Sequence, residues 1–92
     1  MSPPIITVMR PKDGAIFKRI LSLRAVAKDT QSGVATIELF VNGQRRKMCS
    51  GMSVCSHRIS TRLFPVGSYV VLVKVRDWAG NVSTLTRTVV KK

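Results

Sequence analysis

The sequence predicts an all-β domain, a sandwich of about seven antiparallel strands. Its apolar segments alternate with polar residues at a period of two, and none sustains the 3.6-residue period of a helix. Turn residues separate these segments at the spacing usual for a β-sandwich. The 92 residues provide for one domain with one small core.

The first segments of the chain form strands around a tight turn. Ile5–Met9 is a short first strand, and residues 15–17 resume that edge after a turn at Pro11–Gly14. Residues 20–28 then alternate strictly. One face of that strand carries Leu21, Leu23, Ala25 and Ala27. This face is therefore predicted to point into the core.

A hairpin is predicted in the middle of the chain. After a break at Asp29–Gly33, residues 34–41 alternate, with Ile37, Leu39 and Val41 on the inner face. Asn42-Gly43 follows and is the strongest hairpin signal, because a type I′ turn needs positive φ at both positions. Residues 44–49 return as a basic strand.

The last third of the chain completes the sandwich. Residues 55–60 form a short strand, and residues 68–76 form the most regular one. Its inner face carries Tyr69, Val71, Val73 and Val75. The segment Arg76–Asn81 then turns the chain, and residues 82–91 close the domain.

The charge is extreme for this length. Sixteen Lys and Arg residues face four Asp and Glu residues, for a net charge of +12. Such a charge predicts attraction to polyanions, such as anionic polysaccharide, lipopolysaccharide, nucleic acid or an acidic protein surface. The alternative is that positive charge only prevents β-domains from pairing edge to edge.

The chain shows one domain and no membrane segment. Residues 1–4 are interpreted as a linker or an expression start, because Pro3-Pro4 favours an extended chain, and residues 5–92 are interpreted as the domain. The longest apolar run, Tyr69–Val73, is far too short to cross a bilayer. No signal peptide is visible in the sequence.

Five short motifs occur in a characteristic order along almost the whole chain. They are Pro11-Lys12-Asp13-Gly14, Asp29 with Ser32-Gly33-Val34, Val41-Asn42-Gly43, Gly67-Ser68-Tyr69 and Asp77-Trp78-Ala79-Gly80-Asn81. In this order they resemble the bacterial immunoglobulin-like modules of secreted peptidases, glycosidases and adhesins. The resemblance implies an immunoglobulin-like sandwich without catalytic residues or cofactors, which acts as a spacer or contact module. The high positive charge departs from that family.

Cys49 and Cys55 are the two cysteines of the chain. They lie in a segment between two predicted strands, where their β-carbons could approach to bridging distance. We therefore predict a disulfide between them, which would imply an oxidising compartment. Two buried free thiols or a reactive pair are the alternatives. Zinc is disfavoured because the chain has one histidine and no C-x-x-C spacing.

Catalysis is not expected. His57 follows Cys55 by two residues, so both side chains fall on one strand face, but no acid or Asn near His57 in sequence could orient it. Four acids and one histidine are too few for most hydrolytic sites.

Three further oxygen-bearing residues are weak candidates for a calcium site. Asp29 and Asp77 each follow a core strand, and Asn81 ends the last turn, so their oxygens could meet at one end of a sandwich. The simpler interpretation is that they cap turns.

Three parts of the sequence are candidates for binding. Arg45, Arg46 and Lys47 follow the Asn42-Gly43 turn on a predicted edge strand, where they could hold a polyanion or only protect the edge. Trp78 could anchor a sugar or protein at the turn tip, or lie back over the core. Phe40 and Leu72, with Val70, point outward and could dock a neighbouring domain.

Together these observations predict a non-catalytic accessory module of a larger extracellular or cell-surface bacterial protein. Its partners would be the neighbouring domains of that protein. The alternative is a basic module that binds anionic polysaccharide or nucleic acid.

Overall fold

The all-β sandwich is confirmed in a computed structural model, which describes residues 4–29 and 33–92. These residues form eight strands. The strands are β1 (Ile5–Arg10), β2 (Ile16–Phe17), β3 (Ile20–Lys28), β4 (Val34–Val41), β5 (Gln44–Ser50), β6 (Val54–Ser60), β7 (Gly67–Asp77) and β8 (Val82–Lys91). Residues 1–3 and 30–32, which hold most of the expected linker and part of the turn after β3, lie outside the described residues.

The strands divide into two sheets. The smaller sheet has the order β1-β3-β6, and the larger has the order β2-β8-β7-β4-β5. All neighbours are antiparallel except β2, which runs parallel to β8. The edges of the small sheet are therefore β1 and β6, and those of the large sheet are β2 and β5.

The segment at residues 15–17 does not resume the edge of β1, as the sequence suggested. It crosses to the other sheet, where Ile16 and Phe17 pair with the end of β8. The turn before it is held to β8 by hydrogen bonds, from Gly14 N to Thr88 O (2.7 Å) and from Thr88 N to Asp13 Oδ1 (2.8 Å). The sheet switch adds one short strand to the expected seven.

The Asn42-Gly43 hairpin forms as the sequence predicts. Asn42 has φ 48° and Gly43 has φ 80°, and the turn closes the pair Val41 and Gln44. The predicted inner faces of β3, β4 and β7 also meet between the sheets. Among the described residues the buried core includes Leu21, Leu23, Ala25, Ala27, Ile37, Leu39, Val41, Val71, Val73, Val75 and Val89.

The connection between β6 and β7 is held by a buried lysine. Lys91 is 7% exposed, and its Nζ donates hydrogen bonds to the carbonyl oxygens of Thr61 and Phe64. The hydroxyl of Tyr69 donates to the carbonyl of Pro65 four residues upstream, in the manner of the tyrosine corner of immunoglobulin-type sandwiches. The end of β8 and the start of β7 thus fix this loop.

The described chain begins and ends at opposite ends of an elongated molecule of 41 × 20 × 18 Å. The carbonyl of Pro4 accepts a hydrogen bond from Ser83 Oγ, at the start of β8. Lys92 follows the last residue of β8 and donates from its N–H to Phe17 O (3.1 Å). The ten residues of β8 span about 30 Å at the usual rise of a strand. No helix that could span a membrane occurs in the part of the chain that the structure describes.

Candidate binding surfaces

The turn between β7 and β8 is organised by Asp77. Its carboxylate is 1% exposed. Oδ1 accepts hydrogen bonds from the N–H groups of Ala79 (3.0 Å) and Asn81 (2.7 Å), and Oδ2 accepts one from Asn81 Nδ2 (3.0 Å). The side chain therefore replaces the missing strand partners of a tight turn.

These hydrogen bonds also set the ionisation of Asp77. Burial favours the neutral acid, but the hydrogen bonds that Asp77 accepts from Asn81 and Ala79, together with a side-chain hydrogen bond to Asp29, outweigh burial. The pKa of Asp77 therefore lies below its ordinary value of 3.8. Asp29 and Asp77 meet at one end of the sandwich, as the sequence suggested. Asn81 presents its amide nitrogen to Asp77, so this contact is a turn cap. Within residues 4–29 and 33–92, no group of three or more His, Cys, Asp or Glu side chains is placed to hold a metal ion.

Trp78 lies at the tip of the same turn and is 70% exposed. Its backbone N–H donates to Gly33 O at 3.2 Å. Its ring edge lies against Gly33, where Cδ1 would be 3.4 Å from an added Cβ. The indole is thus an exposed aromatic surface that rests on a neighbouring loop.

Cys49 and Cys55 are joined by a disulfide, with their Cα atoms 5.7 Å apart. Cys49 lies on β5 and Cys55 on β6, which are edge strands of different sheets. The bridge therefore fastens the two sheets together at one side of the sandwich. His57 pairs with Leu23 across β3 and β6, and Cys55 has no thiol to offer it while the disulfide is intact.

The three cations on β5 do not point in one direction. A β-bulge places Arg45 opposite Phe40 and Lys47 opposite Leu39, which leaves Arg46 as the extra residue. Arg45 Nη1 lies 3.3 Å from Glu38 Oε2, and the Arg46 guanidinium lies 5.3 Å from the centroid of the Phe64 ring. Lys47 is exposed. Two of the three charges are therefore engaged within the chain.

The outer face of the large sheet carries the expected apolar residues. Phe40 on β4 pairs directly with Leu72 on β7, and both are half-buried, whereas Val70 is exposed. Arg45 continues the same row across β5. Phe40, Leu72 and Arg45 thus form one small patch. Leu72 lies at the middle of β7, whereas Trp78 follows the last residue of that strand and takes no part in the patch.

Sequence reasoning missed a second charged surface, on the outer side of the small sheet. We call it the arginine face and define it as the exposed residues Arg10, Arg19, Arg24, Arg58 and Arg62. Three of them lie on the strands β1, β3 and β6, and the other two flank β3 and β6. The alternation of residues 20–28 already turned Arg24 outward. The face is formed when β1, β3 and β6 pair. This pairing joins strands that are distant in sequence, so no local pattern predicts it.

Comparison with protein families identifies one match. Residues 4–73 match the model of a family described as bacterial Ig domain. No characterised protein sequence matched the chain significantly.

Three solved structures share the fold at low sequence identity. An endo-beta-1,4-mannanase from Thermotoga petrophila has TM-score 0.73 and 14% identity over 98% of this chain, which spans only 19% of the mannanase chain. The fibronectin(III)-like modules of Clostridium thermocellum CbhA have TM-score 0.71 and 16% identity over 97% of this chain and 96% of theirs. The PKD1 domain of Vibrio anguillarum Epp has TM-score 0.58 and 23% identity over 99% and 95%.

Proposed function

The chain belongs to the bacterial Ig domain family, and from this premise we propose that it is a non-catalytic accessory module of a larger extracellular protein. Its role is to hold neighbouring domains apart along a rigid axis. The observation that carries this proposal is the position of the chain ends. Pro4 lies beside the start of β8, and Lys92 follows the end of β8. Domains joined to this module at both ends would be separated by about 30 Å, the length of one ten-residue strand.

The disulfide supports a role outside the cytoplasm. Disulfides persist in oxidising compartments and are rare where glutathione keeps thiols reduced. This bridge also resists separation of the two sheets at the β5 and β6 edges.

The absence of a catalytic role is supported by the chemistry of the available groups. The single histidine, His57, neighbours a cysteine that is locked in a disulfide. Asp77 is fully used in capping a turn. A domain of this fold accounts for 19% of the chain of an endo-beta-1,4-mannanase, and fibronectin(III)-like modules of CbhA share the fold, which fits an accessory role.

The patch formed by Phe40, Leu72 and Arg45 is the candidate contact for a neighbouring domain. A half-buried apolar pair beside an ion pair is typical of the small, polar interfaces between domains of one chain. The module would then set the orientation of its neighbour as well as its distance.

The experiment is a fusion of the chain between two fluorescent domains, with single-molecule energy transfer as the readout. We expect one narrow distance distribution, because the fused domains are attached at opposite ends of a folded sandwich. A Gly/Ser linker of equal length serves as control and should give a broad distribution, with a root-mean-square span of about 50 Å. A broad distribution in the module fusion, or a compact state with the two reporters side by side, would contradict the spacer role.

Binding of polyanions is the second candidate function. The cations of β5 favour it only weakly, since Arg45 pairs with Glu38 and Arg46 stacks on Phe64. The arginine face on the other sheet favours it more strongly.

A further inference from the structure

We propose that the arginine face binds linear polysaccharides that carry carboxylate groups. This binding would add to the spacer role and does not depend on it. The face is a flat surface on the outer side of the small sheet, and the strand register places its cations close together.

The register gives the spacing of the arginines. Arg10 on β1 lies directly opposite Arg24 on β3, so their Cβ atoms are about 5 Å apart. On the other side of β3, Arg24 pairs with Ser56 and Arg58 pairs with Ser22. Arg24 and Arg58 are therefore diagonal neighbours at about 7–8 Å. The side chains can reach one bound polymer together.

Two shallow depressions continue the face along the sheet. One, of about 510 Å³, is lined by Arg10, Arg24 and Arg58 together with Ser22 and Ser56. The other, of about 840 Å³, is lined by Arg58, Arg19 and Arg62 together with Ile20 and Ser60. Arg58 lines both depressions, so they lie side by side on the face, and we refer to the two together as the track.

No acid of the chain neutralises this track. The four acids are Asp13, Asp29, Glu38 and Asp77. Asp13 accepts from Thr88 on β8, Glu38 pairs with Arg45 on β5, and Asp29 contacts Asp77 at the end of the sandwich. In the described residues none of the five arginines has an ion pair. Their positive charge is fully available to an external anion.

Folding alone gives no reason for this arrangement. Like charges directly opposite each other on neighbouring strands destabilise a sheet, and Arg10 and Arg24 are such a pair. Cations protect exposed sheet edges, which could account for Arg10 on β1 and Arg58 on β6. It cannot account for Arg24, which lies on the central strand. A bound anion would relieve the repulsion between Arg10 and Arg24.

The residue types indicate a carboxylate polymer. The cations that line the two depressions are all arginines, whose planar fork forms two parallel hydrogen bonds with a carboxylate. Ser22, Ser56 and Ser60 lie between them and are exposed, so their hydroxyl groups can hydrogen-bond to sugar hydroxyls. Disulfides such as Cys49–Cys55 persist in oxidising compartments, and outside the cell acidic polysaccharide is an available polyanion.

Nucleic acid fits this surface less well. Base stacking on aromatic side chains is the usual means of holding single strands. The five aromatic residues all lie elsewhere, in the core, on the outer face of the large sheet or at the two ends of the molecule. No Phe, Tyr or Trp side chain lines either depression, and the imidazole of His57 is the one ring among the lining residues. The face therefore offers charge and hydroxyl groups without a stacking platform.

The test is calorimetric titration of the whole chain with polygalacturonate. Its methyl ester, duplex DNA and phosphatidylglycerol vesicles are the comparison ligands. The face variant is Arg10→Ser/Arg24→Ser/Arg58→Ser. The matched control, Lys47→Ser/Lys74→Ser/Arg76→Ser, removes the same charge from β5 and β7 of the large sheet, away from the face.

We expect polygalacturonate to bind, and its methyl ester not to bind. The face variant should lose at least about tenfold in affinity, since hydrogen bonds between charged groups are the strong ones, and the control should lose much less. Arg24→Ser alone should weaken binding, although it leaves both edges unchanged. Arg10→Lys/Arg24→Lys/Arg58→Lys, which keeps the charge and loses the forks, should bind with intermediate affinity.

Four outcomes would overturn the proposal. The first is an equal loss of affinity for polygalacturonate in the face variant and the control, and the second is that the methyl ester binds as tightly as polygalacturonate. The third is that DNA or vesicles bind more tightly than polygalacturonate, and the fourth is that the wild-type chain does not bind polygalacturonate at all. The melting temperature of each variant shows whether it folds. If the triple serine variant does not fold, the affinities of Arg24→Ser and of the triple lysine variant test the proposal. None of these outcomes changes the spacer proposal, which is tested by distances.

Discussion

Removal of the disulfide should destabilise the domain by an amount that follows from its sequence separation. Cys49 and Cys55 are six residues apart. In the chain-entropy model a bridge that closes so short a loop stabilises the folded state by about 2.2 kcal/mol. For a domain of this size, that free energy corresponds to a fall in Tm of about 9–18 °C.

The assay is differential scanning calorimetry of the wild-type chain with and without reductant. Intact mass should increase by two hydrogens on reduction, which confirms that the bridge was present. Reduction leaves the side-chain volume unchanged. Cys49→Ala/Cys55→Ala removes the two buried sulfur atoms as well, and should therefore melt lower than the reduced wild type.

Two results would refute this reasoning. Alkylation of two thiols in the unreduced, denatured chain would show that no disulfide forms. The second result is an unchanged Tm in a sample whose intact mass shows full reduction. It would show that the bridge does not restrict the unfolded chain as the loop-entropy model requires.

Three further predictions concern single side chains. Lys91→Met should lower the free energy of unfolding, measured by urea denaturation, by about 1–3 kcal/mol, because it leaves the carbonyls of Thr61 and Phe64 without their donor. Lys92→Met, at the exposed neighbouring residue, is the control, and equal effects of the two substitutions would contradict a structural role for Lys91. Gly80→Val should lower the free energy of unfolding by about 1–3 kcal/mol, because Gly80 has φ 91°, which strains a β-branched residue. Trp78→Ala, at an exposed site, should change the stability little. A lower Tm for Trp78→Ala than for Gly80→Val would show that Trp78 belongs to the core. Asp77→Asn should lower Tm at neutral pH. The difference in Tm from the wild type should shrink as the pH falls below 3.8, because a carboxyl group whose pKa is lowered in the folded state loses its stabilising ionisation as the pH falls through that pKa. A difference in Tm that stays constant down to about pH 2 would contradict the capping role of the carboxylate.

Local signals in the sequence were sufficient for most strands and for one turn. Alternation at Leu21 and Leu23 and at Ile37 and Leu39 identified inner faces, because burial on one side of a strand imposes a period of two. Asn42-Gly43 identified its hairpin, because few residue pairs adopt positive φ twice.

Features that depend on which strands pair could not be predicted. The move of residues 16 and 17 to the large sheet is set by contacts with β8, more than seventy positions later in the chain. Lys91 has the sequence appearance of a surface residue, and only the fold brings it beneath the loop at Thr61. The cations of the arginine face are scattered from Arg10 to Arg62, so no local run reveals them.

The exposure of Trp78 was also beyond the sequence. A single residue in a turn has no periodicity from which its direction can be inferred. The contact of its ring with Gly33, on a different loop, arises because both loops lie at the same end of the sandwich.

The central claim is that the module is a spacer whose two attachment points lie at opposite ends. Its most direct test is to measure the distance between the two ends in the isolated chain. Spin labels on noncanonical residues at positions 5 and 92 leave the disulfide intact, and Ile5 and Lys92 are both exposed. Pulsed electron paramagnetic resonance should give a single narrow distribution near 30 Å, about the length of β8. A broad distribution, or a distance well below about 20 Å, would contradict it.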